Sequence, residues 1–453
     1  MVKRLVLIPI TVLLSMLSSA CLKINPDYQL ADFCADFAAI PPTALTAPDP
    51  SDPAFPTVGF EEVGVIKVMH GFGSGQLPAG GKRIIKLEHG VTIPAYANQA
   101  TVFLNGWRLS YLGGDENVAD VGALLTTINL DQRTKRLTWI AAGELRDNDF
   151  KEGYRFTYHY TVIAWNNVAL NLVADHRDCA ADTDFPHNTF LSLSNGTTAL
   201  SSFSSFRQPL GIAPNHAVAV LPRGFGFYWP DRKILQIGYN LDHTEVFAEK
   251  DKRYVKNHKG QTFAQTRIGV PAPLPTAASR VDSGLVSWDT YAIYKDNAGR
   301  RDYIFVEMTS ALGGSDVGLV QPPFSILPKE DEGGGALAGG VERRQYVIEN
   351  IPFGIAIPML TGWELYYLVS NQKVKDVGIW LEEWTYTPGQ SGGTLRYTLG
   401  SILADDDNWP PHVTRHRVTV LGIRPVSGQG QPILRGARTI RTEPSAVAVG
   451  GRR

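Results

Sequence analysis

The chain has 453 residues, of which 43 are lysine or arginine and 44 are aspartate or glutamate, so its net charge at pH 7 is −1. A charge this close to zero does not favour wholesale nucleic-acid binding, which needs a strongly basic surface. Hydrophobic residues make up 43% of the chain, and no apolar run beyond the N-terminus is long enough to span a bilayer as a helix. The composition is that of an ordinary globular protein.

The N-terminus has the three parts of a secretory signal peptide. Met1–Arg4 is basic, Leu5–Leu17 is an apolar run too short to favour a stable membrane span, and Ser18–Ala20 supplies small residues. We therefore predict a signal peptide over residues 1–20 and an exported protein.

Cys21 follows these small residues directly and resembles the cysteine of the lipobox in bacterial lipoproteins. The resemblance implies cleavage before Cys21, acylation of its sulfur and new amino group, and a lipid anchor. Leu22, rather than aspartate, follows the cysteine, which by the same resemblance implies the outer membrane or cell surface. The sequence departs from the lipobox because Leu17 lies one position further out, with Ser18 in its place. The alternative is plain cleavage after Ala20 and secretion with a free thiol.

Residues 21–60 form an N-terminal segment with a proline-rich linker. Proline is dense between Ile40 and Pro56, which predicts an extended spacer that holds the body away from a membrane. Cys34 and Cys179 are the two remaining cysteines, and in an oxidising compartment they could form a disulfide. Two unpaired buried thiols are the alternative.

Three stretches of the remaining chain repeat one pattern. Each contains a glycine followed by large apolar residues at every second position, beginning with Gly106–Trp107, Gly224–Phe225 and Gly362–Trp363. Such alternation predicts a strand with these side chains on one face. Each copy continues with a second apolar strand, a strand that carries an aromatic residue, and an Asp/Asn cluster before a final strand.

The three anchors, Trp107, Phe225 and Trp363, lie roughly 120 to 140 residues apart, far beyond the roughly 20–50-residue periods of solenoids and propellers. The spacing matches a domain of about 100–150 residues. We therefore predict an all-β protein with three tandem, related antiparallel β-sandwich domains. The predicted boundaries are residues 61–170, 188–323 with a basic loop insertion, and 341–425, followed by a disordered tail at 426–453.

No catalytic constellation is recognisable in the sequence. A Gly-x-Ser-x-Gly elbow, a His-Glu-x-x-His motif and a zinc-ligand cysteine spacing are all missing. We therefore assign no catalytic residue and no metal ligand. The sequence favours a non-catalytic protein over an enzyme.

The sharpest binding candidate is the acidic run Asp405–Asn408, which Trp409 follows. Carboxylate and amide oxygens can hold calcium, but the run is contiguous and lacks the glycine of an EF-hand loop. Similar clusters recur in all three repeats, as ordinary turn chemistry also would. We therefore predict no cofactor and keep calcium as the exception.

Sugar binding is the other possibility for this region, because sugars are held by aromatic faces together with carboxylate and amide groups. Trp384 and Tyr386, in the segment EEWTY, also fit that chemistry, although they could equally be core residues. The candidate ligand-binding set is Trp384, Tyr386, Asp405, Asp406, Asp407, Asn408 and Trp409.

The spacing of the aromatics and the element Trp139–Ala141 resemble the small β-sandwich of H-type lectins over part of one repeat, too little to carry residues across. We expect a non-catalytic adhesion or glycan-binding module whose partners are the membrane, through its lipid anchor, and surface glycans or an envelope protein. One alternative is a structural or assembly component of an envelope complex or filament. Another is a hydrolase with a site between domains.

Overall fold

The computed structural model describes residues 59–80, 84–147, 152–170, 172–176, 217–248, 252–256, 262–266, 284–297, 304–314, 316–320, 325–326, 340–368, 370, 372–406 and 412–424. The predictions for the signal peptide, the linker, the disulfide and the C-terminal tail fall outside these residues. So do Cys21, Cys34, Cys179 and the last three candidate residues, Asp407, Asn408 and Trp409.

All the regular elements in the described residues are β-strands. No helix among them is long and apolar enough to cross a membrane. The strands are β1 (Gly59–Val63), β2 (Ile66–Leu77), β3 (Ile85–Thr92), β4 (Gln99–Tyr111), β5 (Val118–Asp131), β6 (Arg136–Arg146), β7 (Tyr154–Trp165), β8 (Leu172–His176), β9 (Ala217–Arg232), β10 (Gln236–Ala248), β11 (Lys252–Lys256), β12 (Thr262–Thr266), β13 (Gly284–Lys295), β14 (Ile304–Gly314), β15 (Val317–Val320), β16 (Ser325–Ile326), β17 (Glu342–Ile351), β18 (Ile355–Tyr367), β19 (Asp376–Thr387), β20 (Gly393–Ala404) and β21 (His412–Ile423).

The strands form three large antiparallel sheets and one small hairpin. Sheet I has the order β1-β2-β7-β4-β19-β20-β17, sheet II the order β13-β10-β18-β21-β15 with β16 also paired to β21, and sheet III the order β3-β6-β5-β9-β14-β8. Among the described strands, β11 and β12 pair with each other and with no other strand. The prediction of an all-β, antiparallel sandwich class is confirmed.

Each large sheet contains strands of two repeats. The strand pair that joins the two repeats has the same register in all three sheets. Trp107 of β4 is opposite Ile379 of β19, and Phe225 of β9 is opposite Ala123 of β5. Trp363 of β18 is likewise opposite Tyr239 of β10. The first repeat thus pairs with the second, the second with the third and the third with the first. The three repeats are structural equivalents, as the sequence indicates, and their shared sheets close them into a ring.

A polar contact accompanies two of these three junctions. Arg108 of the first repeat makes a two-pronged ion pair with Asp376 of the third, with its Nη2 2.6 Å from Oδ2 and its Nε 3.0 Å from Oδ1. At the equivalent place, Gln236 of the second repeat donates a hydrogen bond to Glu364 of the third. Backbone hydrogen bonds are the same for every residue type and do not specify which strands pair. These side-chain contacts favour the observed pairing.

The residue before each anchor glycine is a β-bulge, at Asn105, Arg223 and Thr361. All three bulged residues are buried. Asn105 uses its bulge to join two repeats, because its Nδ2 donates to the carbonyl of Pro358 at 3.0 Å and its Oδ1 accepts the N–H of Leu360 at 2.7 Å. A bulge redirects a side chain out of the regular alternation, and here it directs an amide at β18, which lies in a different sheet.

The anchors meet at the centre of the ring. The ring centroids of Trp107 and Phe225 are 4.9 Å apart, those of Trp107 and Trp363 are 5.0 Å apart, and those of Phe225 and Trp363 are 5.1 Å apart. All three side chains are buried, and they belong to one hydrophobic cluster that includes residues of every repeat. The core is therefore common to the three repeats.

Candidate functional site

The loops that follow the three anchor strands converge at one end of the molecule, which we call the loop end. Glu116, between β4 and β5, exchanges two backbone hydrogen bonds with Val374, between β18 and β19, at 3.0 and 2.8 Å. Ile234, between β9 and β10, exchanges two more with Gln372, both at 2.9 Å. The loop of the third repeat therefore connects the other two, and the three repeats present one composite surface.

Charged side chains of both signs lie on this surface. Lys373 Nζ is 3.7 Å from Asp115 Oδ1 and 3.7 Å from Glu116 Oε2, and it donates to the backbone carbonyl of Asp115 at 3.2 Å. Lys375 Nζ is 3.7 Å from Asp406 Oδ2. The Asp406 side chain is 39% exposed, so solvent screens this last pair strongly.

Asp115 of the first repeat and Asp405 of the third both belong to the loop end, and Asp405 influences the ionisation of Asp115. Burial raises the pKa of Asp115, the hydrogen bond and the charge of Asp405 raise it further, and Lys373 opposes the shift. The side chain of Asp115 is 13% exposed and Asp405 is buried.

Tyr367 is the last residue of β18. It is 1% exposed, and its hydroxyl has no hydrogen-bond partner among the residues that the structure describes. Burial raises its pKa well above the ordinary value, and the nearby charges of Asp405, Asp115 and Asp376 act in the same direction. The last residue of β18 thus carries a buried hydroxyl whose ionisation the carboxylates of the loop end disfavour.

The first aspartate of each predicted Asp/Asn cluster occupies an equivalent place. Asp147, Asp296 and Asp405 directly follow β6, β13 and β20, and all three are buried. A position repeated in this way favours the turn interpretation that the sequence left open. In the third repeat, Asp405 also interacts with Asp115.

Trp384 and Tyr386 do not share a site with Asp405. They are 4% and 7% exposed, and Tyr386 donates its hydroxyl to the carbonyls of Phe353 at 2.5 Å and Ile351 at 3.2 Å. Asp405 follows Ala404, which pairs with the first residue of β19. Trp384 lies eight residues further along β19, or about 26 Å at the usual rise of a strand. Their positions match the core alternative.

The sequence analysis missed Asp115 and Lys373. Each follows an anchor strand by a few residues, within GGDEN in the first repeat and NQKVKD in the third. Asp115 lies 8 residues after Trp107 and Lys373 lies 10 residues after Trp363, so the two do not occupy equivalent positions of the repeat. The contact between their loops is visible only in the tertiary structure. In the described part of the chain, no three His, Cys, Asp or Glu side chains are grouped so as to hold a metal ion.

No family model and no curated protein matches the chain. A solved structure with a weak likeness is the asymmetric focused reconstruction of the asymmetric unit of a human norovirus GI.7 Houston strain virus-like particle. The identity is 10%, the alignment covers 87% of this chain and 97% of the other, and the TM-score is 0.13. A TM-score of 0.13 does not indicate a shared fold.

Proposed function

We propose that the protein is an exported, lipid-anchored bacterial protein that binds surface glycans without catalysis, and that its loop end is the binding face. The N-terminal signal sequence, Cys21 and the proline-rich linker support display away from a membrane. The observation that carries the proposal is the convergence of loops from all three repeats above one shared hydrophobic core.

The chemistry of the loop end suits hydroxyl-rich ligands. Asp406 and Glu116 offer carboxylate acceptors, Lys373 offers an ammonium donor, and each is at least partly exposed. Sugar hydroxyls both donate and accept hydrogen bonds, so a face with both kinds of group can satisfy them. Trp384 and Tyr386 take no part in this proposal because they are buried.

The shared core changes the expected source of binding affinity. Separate domains on linkers gain avidity by engaging several ligands at once. A closed ring instead offers one preorganised surface, which lowers the entropic cost of binding because the loops do not have to be ordered. We therefore expect one ligand site per chain.

A glycan array probed with the full chain tests the proposal. Wild-type protein should bind at least one sugar class, and Lys373→Ala or Asp406→Ala should weaken that binding by about tenfold, the equivalent of about 1.4 kcal/mol. Arg133→Ala is the matched control, because Arg133 is an exposed cation in the turn at the opposite end of β5. Absence of binding to every sugar, or equal loss in the control, would contradict the proposal.

An assembly role is the second candidate, and β17 favours it. This strand lies at an open edge of sheet I and exposes 47% of Val347, and edge strands can pair with another chain. Exposed charges on the same strand, such as Arg343 and Glu349, oppose such pairing. Size measurement of the delipidated protein separates the two functions, since a monomer would exclude assembly through this edge.

A further inference from the structure

The rings of His159 and Trp380 meet at the junction between the first and third repeats. Gly106 of β4 is opposite His159 of β7 on one side and opposite Trp380 of β19 on the other. The two ring centroids are 5.8 Å apart and the rings are nearly parallel, at 16°. Gly106 makes this possible, because a Cβ at that position would collide with Trp380. A titratable ring of one repeat therefore packs on an indole of another.

The imidazole of His159 is enclosed without a hydrogen-bond partner. The residue is 2% exposed, and neither Nδ1 nor Nε2 has a partner among the described residues. The ring of Phe72 on β2 also contacts it, with 6.0 Å between centroids. A neutral imidazole can be buried between two aromatic rings at modest cost, whereas a buried charge without an acceptor is far more costly. The surroundings therefore favour the unprotonated ring.

The charges around His159 also disfavour a proton there. The Arg108 guanidinium lies 5.9 Å from the centroid of the same Trp380 ring, so the π-face that could attract an imidazolium already has a cation against it. The other charged or titratable side chains on the strands around this row are His70 on β2, Arg155 on β7, Asp376 and Glu382 on β19, and Arg343 on β17.

The two carboxylates of this set already have cationic partners. Asp376 is in an ion pair with Arg108, and Glu382 is in one with Arg343. Burial lowers the pKa of His159 from 6.5 to about 3, and the charges of Arg108 and His70 act in the same direction. Protonation of His159 would therefore place a second cation beside Arg108 at the junction.

The other two junctions have different residues at the equivalent positions. Gly224 is opposite Met308 on one side and Leu124 on the other. The corresponding glycine of the third repeat is opposite Arg417 and Asn240. Since methionine and leucine do not titrate, the junction of the first and second repeats lacks this sensitivity to pH and provides an internal control.

We propose that His159 makes the junction between the first and third repeats acid-labile, so that protonation of its imidazole separates β19 from β4 and opens the ring there. The opened chain binds the proton with the ordinary histidine pKa of 6.5, and the closed chain with a pKa of about 3. The junction is therefore fully stable above pH 6.5 and loses stability as pH falls toward 3. The opening equilibrium constant rises by up to about tenfold per pH unit in that range.

Opening at this junction also reaches the loop end. The loop after β4 and the loop before β19 are joined by the two backbone hydrogen bonds between Glu116 and Val374. Separation of β4 from β19 removes the support of these bonds, so a ligand held at the loop end would be released in mild acid. The acid response itself depends on the fold alone, and it stands or falls independently of the proposed glycan binding.

Hydrogen–deuterium exchange of the full chain at about pH 7 and about pH 5, corrected for the intrinsic exchange rate, tests the proposal. The amides of residues 376–380, which pair with β4, should lose about thirtyfold in protection, as a tenfold effect per pH unit below 6.5 requires. The amides of residues 225–228, which lie at the junction with β5, should keep their protection. Equal losses at the two junctions would overturn the proposal, and so would no loss at either.

The variant His159→Phe keeps an aromatic ring and removes the titratable group. Its residues 376–380 should have nearly the same protection at both pH values. His416→Phe is the matched control, because His416 is also buried but belongs to β21, and it should retain the wild-type loss. A loss that persists in His159→Phe would contradict the proposal. The comparison of the two junctions in the wild type requires no variant, so it decides the matter even if His159→Phe does not fold.

Discussion

Trp107 of the first repeat and Trp363 of the third pack ring against ring, with 5.0 Å between their centroids. Phe225 of the second repeat contacts both. Each aromatic residue is the first of the alternating large apolar residues in its strand, and its side chain packs at the common centre. The repeats therefore depend on one another for their core, and the consequences for stability can be measured.

Trp363→Ala should destabilise the whole chain rather than the third repeat alone. Removing a buried tryptophan costs about 3–5 kcal/mol through lost burial and the cavity left behind. Because the three anchors share one cluster, far-UV circular dichroism and tryptophan fluorescence should report the same urea transition. Val347→Ala, at a side chain 47% exposed, should change stability by less than about 0.5 kcal/mol. Separate transitions for the repeats would show that the ring is not cooperative.

Arg108→Ala should weaken the junction between the first and third repeats. Its guanidinium and the Asp376 carboxylate are 14% and 10% exposed, and leaving one member of a buried pair alone costs about 3–5 kcal/mol. The control is Lys375→Ala, whose partner Asp406 is 39% exposed; it should cost about 1 kcal/mol or less. A double-mutant cycle of Arg108 and Asp376 should show coupling, and additive losses would refute a direct interaction.

Gly378→Ala should disturb the same junction through sterics. A Cβ at this position would lie 2.5 Å from the carbonyl oxygen of Trp107 and 2.7 Å from Cα of Arg108, so the two strands would have to separate. Forced overpacking of this kind costs about 1–3 kcal/mol. Gly114→Ala is the control, since the nearest atom to its added Cβ is 3.9 Å away. Equal melting temperatures of the two variants would contradict the close approach.

Glu61→Gln should change how stability depends on pH. Glu61 is buried, accepts the N–H of Tyr386 at 2.9 Å, and has a pKa raised by burial from 4.5 to about 7. The folded state therefore holds this proton more tightly than the unfolded state. Its stabilisation is complete below pH 4.5 and is lost as pH rises through about 7.

From pH 4.5 to about 7, the free energy of unfolding of the wild type should fall by about 3 kcal/mol relative to that of Glu61→Gln. The slope is about 1.4 kcal/mol per pH unit. Urea titrations at several pH values measure it. Exposed Glu88 on β3 provides the control substitution, Glu88→Gln, which should show no such shift. A constant difference from pH 4.5 to pH 8 would mean that Glu61 is not held in this environment.

Sequence patterns did not predict where the candidate site residues lie in the fold. Trp384 and Tyr386 have the composition of a sugar-binding segment, yet β19 carries a bulge at Glu382, which changes the face on which the following side chains lie. Both aromatics consequently turn into the core. Asp405 occupies a turn position that recurs in all three repeats. Its proximity to the loop of Asp115 could not be predicted, because the two residues are far apart in the sequence.

The sequence by itself determined the strands, their alternating faces and their threefold repetition, because side-chain periodicity and turn residues are local properties. Only the tertiary structure decided that Trp107, Phe225 and Trp363 meet at one centre and that each sheet is shared by two repeats. Backbone hydrogen bonds are the same for every residue type, so a strand pattern does not specify its partner. That choice falls to packing and to long-range contacts such as Arg108 with Asp376.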